Sequence, residues 1–523
     1  VSLRSRLAAR LARAALWLGN GGQPVALNPY EAASGGHRFR GWHAPDVGPT
    51  TAITTSVDEL RTRSHMTLRN DPVADNGVET WVDHCIGSGV RPKSLAPDEG
   101  FRRELAKWWP YFVEHADARR QTDLYGCQAL ALRSIIECGE VLAIKRQRFL
   151  TDGLPVPVQL QWLEAAHLPS GYTRLTDGGQ RIVNGIQYDA LDVATVYHLH
   201  RRHPGEQLFF GDAVGFTDLA PVPASRVIHA FNPRRVGQNR GEPWLARVLI
   251  PLHEMLRYMD AEAVRKKGAA MIGGWIKKNP SDQPYFGEKV PTDKQDTYSD
   301  PQEVVERYLE PGTWQVLNVG EEAQASAPAD VGPNFDAFVV QQLHRIAVGL
   351  NGLPHALLTG DLRQVNFSQG RMGLLVFKRR CQRVLRNLVV HQICRPTWEA
   401  FVEGLFLAGR VQIPRDYAER RFEWLRCTWM GNRWEFIRPQ EETAAIEAQI
   451  RDGLNARSLV VPELLGIDSE ELDDLIAEDN ARADQKGLVF DTDPRRVAKQ
   501  GTAHTTPPTA DDDEGDTRGE AAG

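Results

Sequence analysis

The sequence predicts an α+β chain, mainly helical, with a β-rich section in its first half. Three observations carry this. Apolar residues recur at helical spacing from about Val57 to Leu150. Between Val156 and Ile228 the pattern breaks into short apolar stretches separated by Gly, Asp and Pro. Three long helical patterns follow, and a polar, Pro-rich excursion from Asn279 to Val331 separates the first two.

In the first section Val78, Trp81 and Val82 fall at i, i+3 and i+4, one buried helix face. Gly87 and Gly89 stop that helix. Trp108, Trp109 and Phe112 form a second apolar cluster, and a third helix over Asp123–Glu137 leads through Cys138-Gly139 into the strand-like VLAI. The stretches VPVQLQWL, RIVNGIQY, TVYHLH and RVIHAF read as strands of one compact sheet. Leu252–Ile276 then carries Leu252, Met255, Leu256, Met259 and Ala263 on one face; at 1.5 Å per residue such a helix is about 36 Å long. Within the excursion Trp314–Val319 is one strong strand. Asn334 is an N-cap candidate for a helix carrying Phe335, Phe338, Val339, Leu343, Ile346, Ala347 and Leu350, which Gly352 and Pro354 end. A third helix from near Ser368 puts Phe377, Cys381, Val384, Leu385 and Leu388 on one face and Arg379, Arg380, Arg383 and Arg386 largely off it. Pro396 should kink it, because its ring removes one hydrogen bond and crowds the preceding turn. Thr443–Leu454 and Ser469–Ala483 are the last helices, the second started by Asp468 with Glu471.

Composition narrows the function. The 523 residues are 41% hydrophobic and 25% charged, an ordinary globular balance without an apolar run long enough for a membrane helix. Against 62 Lys and Arg stand 68 Asp and Glu, a formal charge of −6. A protein gripping DNA over a broad face is normally basic, so any DNA contact here should be local or weak. Six cysteines without a CxxC pair argue against structural zinc and disulfide scaffolds and fit a reducing cytosol. The start, VSLRSRLAARLARAALWLG, reads as an amphipathic arm, with no small-residue cleavage site behind a proper apolar run. The end, from about Asp491, should be a disordered acidic tail.

No catalytic signature is present: no GxxxxGK[ST], GxSxG, HExxH or EF-hand loop. His198, His200 and His203 are the best metal candidates, but Arg201 and Arg202 would repel a cation, and a polar strand edge explains them more simply. The arginine-rich face of the third helix fits phosphate binding and a solvated or interfacial face equally. Trp424, Trp429 and Trp434 could stack bases, though packing is the commoner use of Trp. No catalytic residue, cofactor or metal is expected.

The stretch from Val222 to Ile276 resembles the signature of lambda-like phage portal proteins. The matching residues are Ile228-His229, Arg235, Gly237-Gln238, Arg240-Gly241, Pro243-Trp244, Tyr258 and Asp260-Ala261-Glu262. Further landmarks follow the family order: Asn70-Asp71-Pro72, Gly87-Ser88-Gly89, Gly139-Glu140-Val141-Leu142, Gly352-Leu353-Pro354, Thr359-Gly360-Asp361, Asn366-Phe367-Ser368 and Arg371. The resemblance runs from about Asn70 to Glu478; the arm and the acidic tail depart from it. It implies a ring-forming portal fold with a β-rich wing, a two-helix stem, a clip, a tunnel loop and a helical crown. Its divisions here are an N-terminal arm (1–48), wing (49–251), first stem helix (252–277), clip (278–331), second stem helix (332–351), tunnel loop (352–367), kinked spine helix and return to the wing (368–440), crown (441–486) and tail (487–523).

The resemblance also implies a role. Such a ring, a dodecamer, sits at one capsid vertex, assembles in the host cytoplasm, and passes double-stranded DNA without reading sequence. Its partners are the major capsid protein, the large terminase subunit and the head-completion or adaptor proteins, with no membrane. Arg363, Gln364 and Asn366 are the expected DNA-channel donors. Leu252, Met255, Ala269, Ala270, Phe338 and Ile346 are expected in stem and subunit packing, and Trp314 in a small clip core. A portal-derived component of a gene-transfer particle or a defective prophage fits the same residues. An enzyme fused to a portal-like core would need a compact carboxylate cluster or Ser/Lys pair, which the sequence does not offer.

Overall fold

A computed structural model describes residues 45–206, 219–271, 275–276, 315–316, 335–363, 366–431, 434 and 438–488, with isolated positions 11, 41, 490 and 495. Most of the arm, nearly all of the clip including Trp314, Gln364 and most of the acidic tail lie outside the described residues, as do the side chains of Ala269 and Ala270. The chain divides into two units, 1–52 and 53–523. Within the first, the described segment 45–52 leads into helix α1 (Pro49–Thr54).

The second unit opens with α2 (Val57–Asn70) and α3 (Pro72–Cys85). Asp71 separates them: its carboxylate accepts from the amides of Val73 (2.9 Å) and Ala74 (3.3 Å), and Pro72 begins the new helix, where a missing N–H costs nothing. Then come β1 (Arg91–Ser94), α4 (Glu99–His115) and α5 (Leu124–Cys138). Asp123 caps α5, and Gly139 ends it in the left-handed region. Trp81, Phe112, Leu132 and Ile135 are fully buried in the main core, as helical spacing requires.

The expected single sheet is two. β2 (Glu140–Gln147) is central to an antiparallel trio with β3 (Val158–Glu164) and β9 (Val227–Phe231). A five-stranded meander holds β4 (Arg174–Leu175), β5 (Arg181–Val183), β6 (Ile186–Tyr188), β7 (Ala194–His200) and β8 (Leu219–Pro223). RIVNGIQY is a hairpin and not one strand, because Asn184 (φ 53°) and Gly185 (φ 80°) form the turn inside it. Leu142, Ile144 and Leu163 from the trio pack with Ile186, Tyr197 and Leu199 from the meander in a second core.

The first long helix is α6 (Leu249–Met271), three residues earlier at its start than periodicity suggested. It does not reach Ile276: Trp275–Ile276 (β10) pairs in parallel with Gln315–Val316 (β11), so backbone pairing replaces the last helical turn. α7 (Phe335–Gly349) packs beside α6, with the Tyr258 ring 5.4 Å from Phe338 and 5.9 Å from Phe335. A short α8 (His355–Thr359) precedes the spine, α9 (Phe367–Val384). The expected kink at Pro396 takes another form. Leu385–Cys394 widens into a π-helix, Arg395 N–H donates to the carbonyl of Val390, and Pro396 sits in the first turn of α10 (Arg395–Leu407). The helix runs on through Cys394 and Arg395 without a break, and the wider π turns ahead of Pro396 accommodate its ring and its missing N–H. After α11 (Arg421–Trp424), β12 (Cys427–Met430) pairs with β1. The C-terminal helices are α12 (Pro439–Arg451), α13 (Arg457–Leu465) and α14 (Ser469–Lys486), of which α13 has no counterpart in the periodicity reading.

Candidate functional site

The quoted signature surrounds a buried charge cluster. Glu140, at the start of β2, is fully buried. Its Oε1 accepts from Arg240 Nε (2.7 Å) and Arg61 Nη2 (2.7 Å); its Oε2 takes the Gly241 amide (2.9 Å) and lies 3.0 Å from His229 Nε2. Burial alone would raise this carboxyl's pKa. Arg240, the His229 hydrogen bond and Arg61 outweigh burial and hold it well below the usual range. Arg240 is also fully buried and donates to the carbonyls of Asn184 (3.3 Å) and Leu168 (2.9 Å). It therefore ties the hairpin turn to the central strand.

The two glycines beside this cluster touch backbone to backbone. A Cβ on Gly241 would stand 2.0 Å from the Gly139 carbonyl oxygen, and one on Gly139 would stand 2.5 Å from the Glu242 carbonyl carbon. Gln238 closes the signature loop, accepting from the amides of Arg234 (2.9 Å) and Arg235 (3.2 Å) and donating to the Arg240 carbonyl (2.7 Å). Arg235 itself is exposed. Trp244 is buried edge-on against Trp81, with centroids 5.3 Å apart.

From this base the loop reaches the end of α7. Asn351 (φ 57°) and Gly352 (φ 77°) both lie in the left-handed region and turn the chain sharply out of the helix. Three elements grip this elbow. Trp81 Nε1 donates to the Leu350 carbonyl (3.0 Å), Arg380 Nη1 to the Asn351 carbonyl (2.7 Å), and Arg234 Nη2 to Asn351 Oδ1 (2.7 Å).

The tunnel-loop reading needs correction. Residues 352–367 are not one open loop, because a short helix, His355–Thr359, lies inside them. The first half is instead packed: Leu353 and Leu358 are buried, and Asn76 Nδ2 donates to the carbonyls of Leu357 (3.1 Å) and Leu358 (2.8 Å). Exposed backbone begins at Gly360. Arg363 is 82% exposed, with its fork on Asp361: Nε to Oδ1 at 3.0 Å, Nη2 to Oδ2 at 2.8 Å. Those hydrogen bonds hold the Asp361 carboxyl well below its usual range. Arg363 is thus neither buried nor unpaired. Asn366 uses its side-chain oxygen as the N-cap of α9, accepting from Gln369 N–H (2.8 Å).

The stem residues also divide. Leu252 and Ile346 are buried in the chain's own core, so they do not offer a face to a neighbour. Met255 and Phe338 line a surface groove of about 540 Å³ between α6 and α7, and Phe338 is 45% exposed. Trp424 is buried against Phe101, and Trp434 packs on His84. His203 Nε2 meets Glu164 (3.1 Å) while His200 is buried. Among the described residues no group of His, Cys, Asp or Glu is arranged to hold a metal. Nor is any helix among them long and apolar enough to cross a membrane.

Reasoning from sequence missed the roles of Glu140, Arg61, Asn351, Trp81 and Asn76. A signal existed for one: Glu140 stands in the quoted GEVL landmark, an acid at the head of an apolar strand.

The fold and these contacts define an α+β scaffold whose charged and aromatic groups brace helices. The chain belongs to the lambda family of phage portal proteins: that family's model matches residues 35–384. The chain is 25% identical over 361 residues to a probable portal protein of Halomonas phage phiHAP-1, covering 68% of this chain and 65% of that relative's length. Among solved structures it resembles a chain of the virion of a native gene transfer agent particle: 12% identity, 80% of this chain, 94% of that one, TM-score 0.39. A chain from the neck of an empty gene transfer agent particle gives 13% identity, 82%, 98% and 0.38.

Proposed function

We propose that this chain is a portal subunit that forms a ring at one capsid vertex, through which double-stranded DNA enters during packaging and leaves at ejection. The family match over residues 35–384 carries this reading. The wing, stem, clip, tunnel loop, spine and crown take the divisions given above, with the tunnel loop's accessible part beginning at Gly360. Met255 and Phe338 in the stem groove meet a neighbouring subunit, and the excursion 278–331 serves as the clip, docking the terminase motor first and the head-completion proteins afterwards.

The charge balance suits a conduit. Each phosphate neutralised adds counterion-release affinity, so a channel that lets DNA slide should neutralise few. A net charge of −6 with an exposed Arg363 leashed to Asp361 fits that requirement. The role is structural, with no chemical step assigned to any residue.

Electron cryomicroscopy of the purified protein tests the reading: a ring with an axial channel is expected. Native mass spectrometry showing only monomers at micromolar concentration and in assembled particles would overturn it. Deleting Asp282–Asp296 should spare the ring and block motor docking.

A further inference from the structure

We infer that Arg234, Arg247, Arg380 and Arg383, gathered beside the elbow at Asn351-Gly352, form a second phosphate site for the DNA duplex, separate from the Arg363 loop. Four guanidinium groups from three elements meet there: the signature loop, the turn ahead of α6, and the spine. Among the described residues the carboxylate paired with Arg234 and Arg247 is Glu242, whose Oε1 lies 3.6 Å from both Arg234 Nε and Arg247 Nη2, beyond hydrogen-bond reach. No salt bridge among the described residues takes up Arg380 or Arg383. Arg234 Nε is buried and has no hydrogen-bond partner. Burial lowers the Arg234 pKa, and repulsion from Arg247 and Arg383 lowers it further.

The cluster is also preorganised. Arg234 and Arg380 each use one nitrogen on Asn351, which fixes two guanidinium groups against a single residue. Arg380 passes over Gly352, where an added Cβ would fall 1.0 Å from its Nη1, so the elbow glycine makes room for the cation. Arg383 is exposed, and Arg247, 56% exposed, stands at the end of the groove that Met255 and Phe338 line, so in a single subunit both forks are open to a ligand. Planar forks held in place suit phosphate oxygens, and little side-chain freedom remains to be lost on binding. Desolvated like charges without enough acids are the arrangement an incoming anion relieves.

The anion site rests on these contacts alone; naming duplex DNA as its ligand rests on the conduit reading. The rival ligand is the acidic run Asp511-Asp512-Asp513-Glu514 of the chain itself. The duplex is favoured because the site adjoins the elbow from which the proposed channel loop departs.

The test is fluorescence anisotropy of a short random-sequence duplex with the full-length assembled protein, titrated over salt. Arg247→Gln/Arg383→Gln removes the two open forks and none of the elbow contacts. Losing two phosphate contacts should flatten the slope of log affinity against log salt by about 2 and weaken binding roughly tenfold near physiological salt. Glu242→Gln should strengthen binding. An unchanged slope in the double variant, with wild-type rings that do bind duplex, overturns the site and leaves the conduit reading standing. If the acidic run occupies the arginines, the double variant is equally silent towards duplex, and that too overturns the assignment. Wild-type protein that neither forms rings nor binds duplex defeats both.

Discussion

Arg240 and Arg363 meet carboxylates at nearly the same distance, 2.7 Å to Glu140 and 2.8 Å to Asp361, in opposite surroundings. The first pair has no solvent exposure; Arg363 is 82% exposed. Inside, two arginines and a histidine share one carboxylate, and each group's desolvation is tolerable only while the others stay. Outside, water and salt screen the pair, which contributes little to folding and leaves the cation free to change partners. The same chemistry thus ties β2 to the hairpin turn at Asn184 in one place and keeps a charge on offer in another.

The sharpest way to break that comparison is Glu140→Gln. It strands Arg61 and Arg240 without their counter-charge and should cost about 3–5 kcal/mol in denaturant unfolding. A loss below about 1 kcal/mol would show that the cluster is not what holds the two sheets together. The pH dependence has a definite sign. The folded carboxyl's pKa lies below its unfolded value of about 4.3. Between the two values the unfolded chain holds more protons, so Glu140's contribution is complete above about pH 4.3 and disappears as pH falls towards the folded value. E140Q should flatten that acid limb.

Next in size is Gly241→Ala. Its methyl group would overlap the Gly139 carbonyl and force the signature loop off β2, at roughly 1–3 kcal/mol; a lower melting temperature checks it. Trp81→Phe keeps much of the ring but leaves the Leu350 carbonyl without its donor, at about 1–3 kcal/mol. Hydrogen exchange should then speed up at the end of α7 before it does in α5. The smallest effect on folding belongs to Arg363→Ala, whose unfolding midpoint should match wild type. Packaging assays with that variant should show shortened or poorly retained DNA and normal rings. A shifted midpoint would place Arg363 with the structural arginines.

Much of the helical architecture was legible because its apolar faces are long and regular. Phe377, Cys381 and Val384 are buried where spacing put them. Boundaries set by contacts distant in sequence were not legible. Nothing local to Ile276 announces its pairing with Val316. Residues 353–358 were not legible for the same reason: Leu353 and Leu358 look like loop residues until α3 brings Asn76 to the carbonyls of Leu357 and Leu358. The signature residues were quoted correctly without their reason, since His229, Arg240 and Gly241 make sense only around Glu140, about 90 positions upstream.

The π-helical segment Leu385–Cys394 resets the phase of the helix that follows it. A helix with five-residue closure carries an extra residue in its turn, and each residue rotates an α-helix by about 100°. Everything after Cys394 is therefore out of phase with Phe377 and Cys381, and Trp398 and Phe401 reach the core on that shifted phase. The family match ends at residue 384, one position before the segment begins. Removing one residue between 385 and 394 should restore a plain helix and swing Trp398 away from Trp109, now 5.5 Å from it.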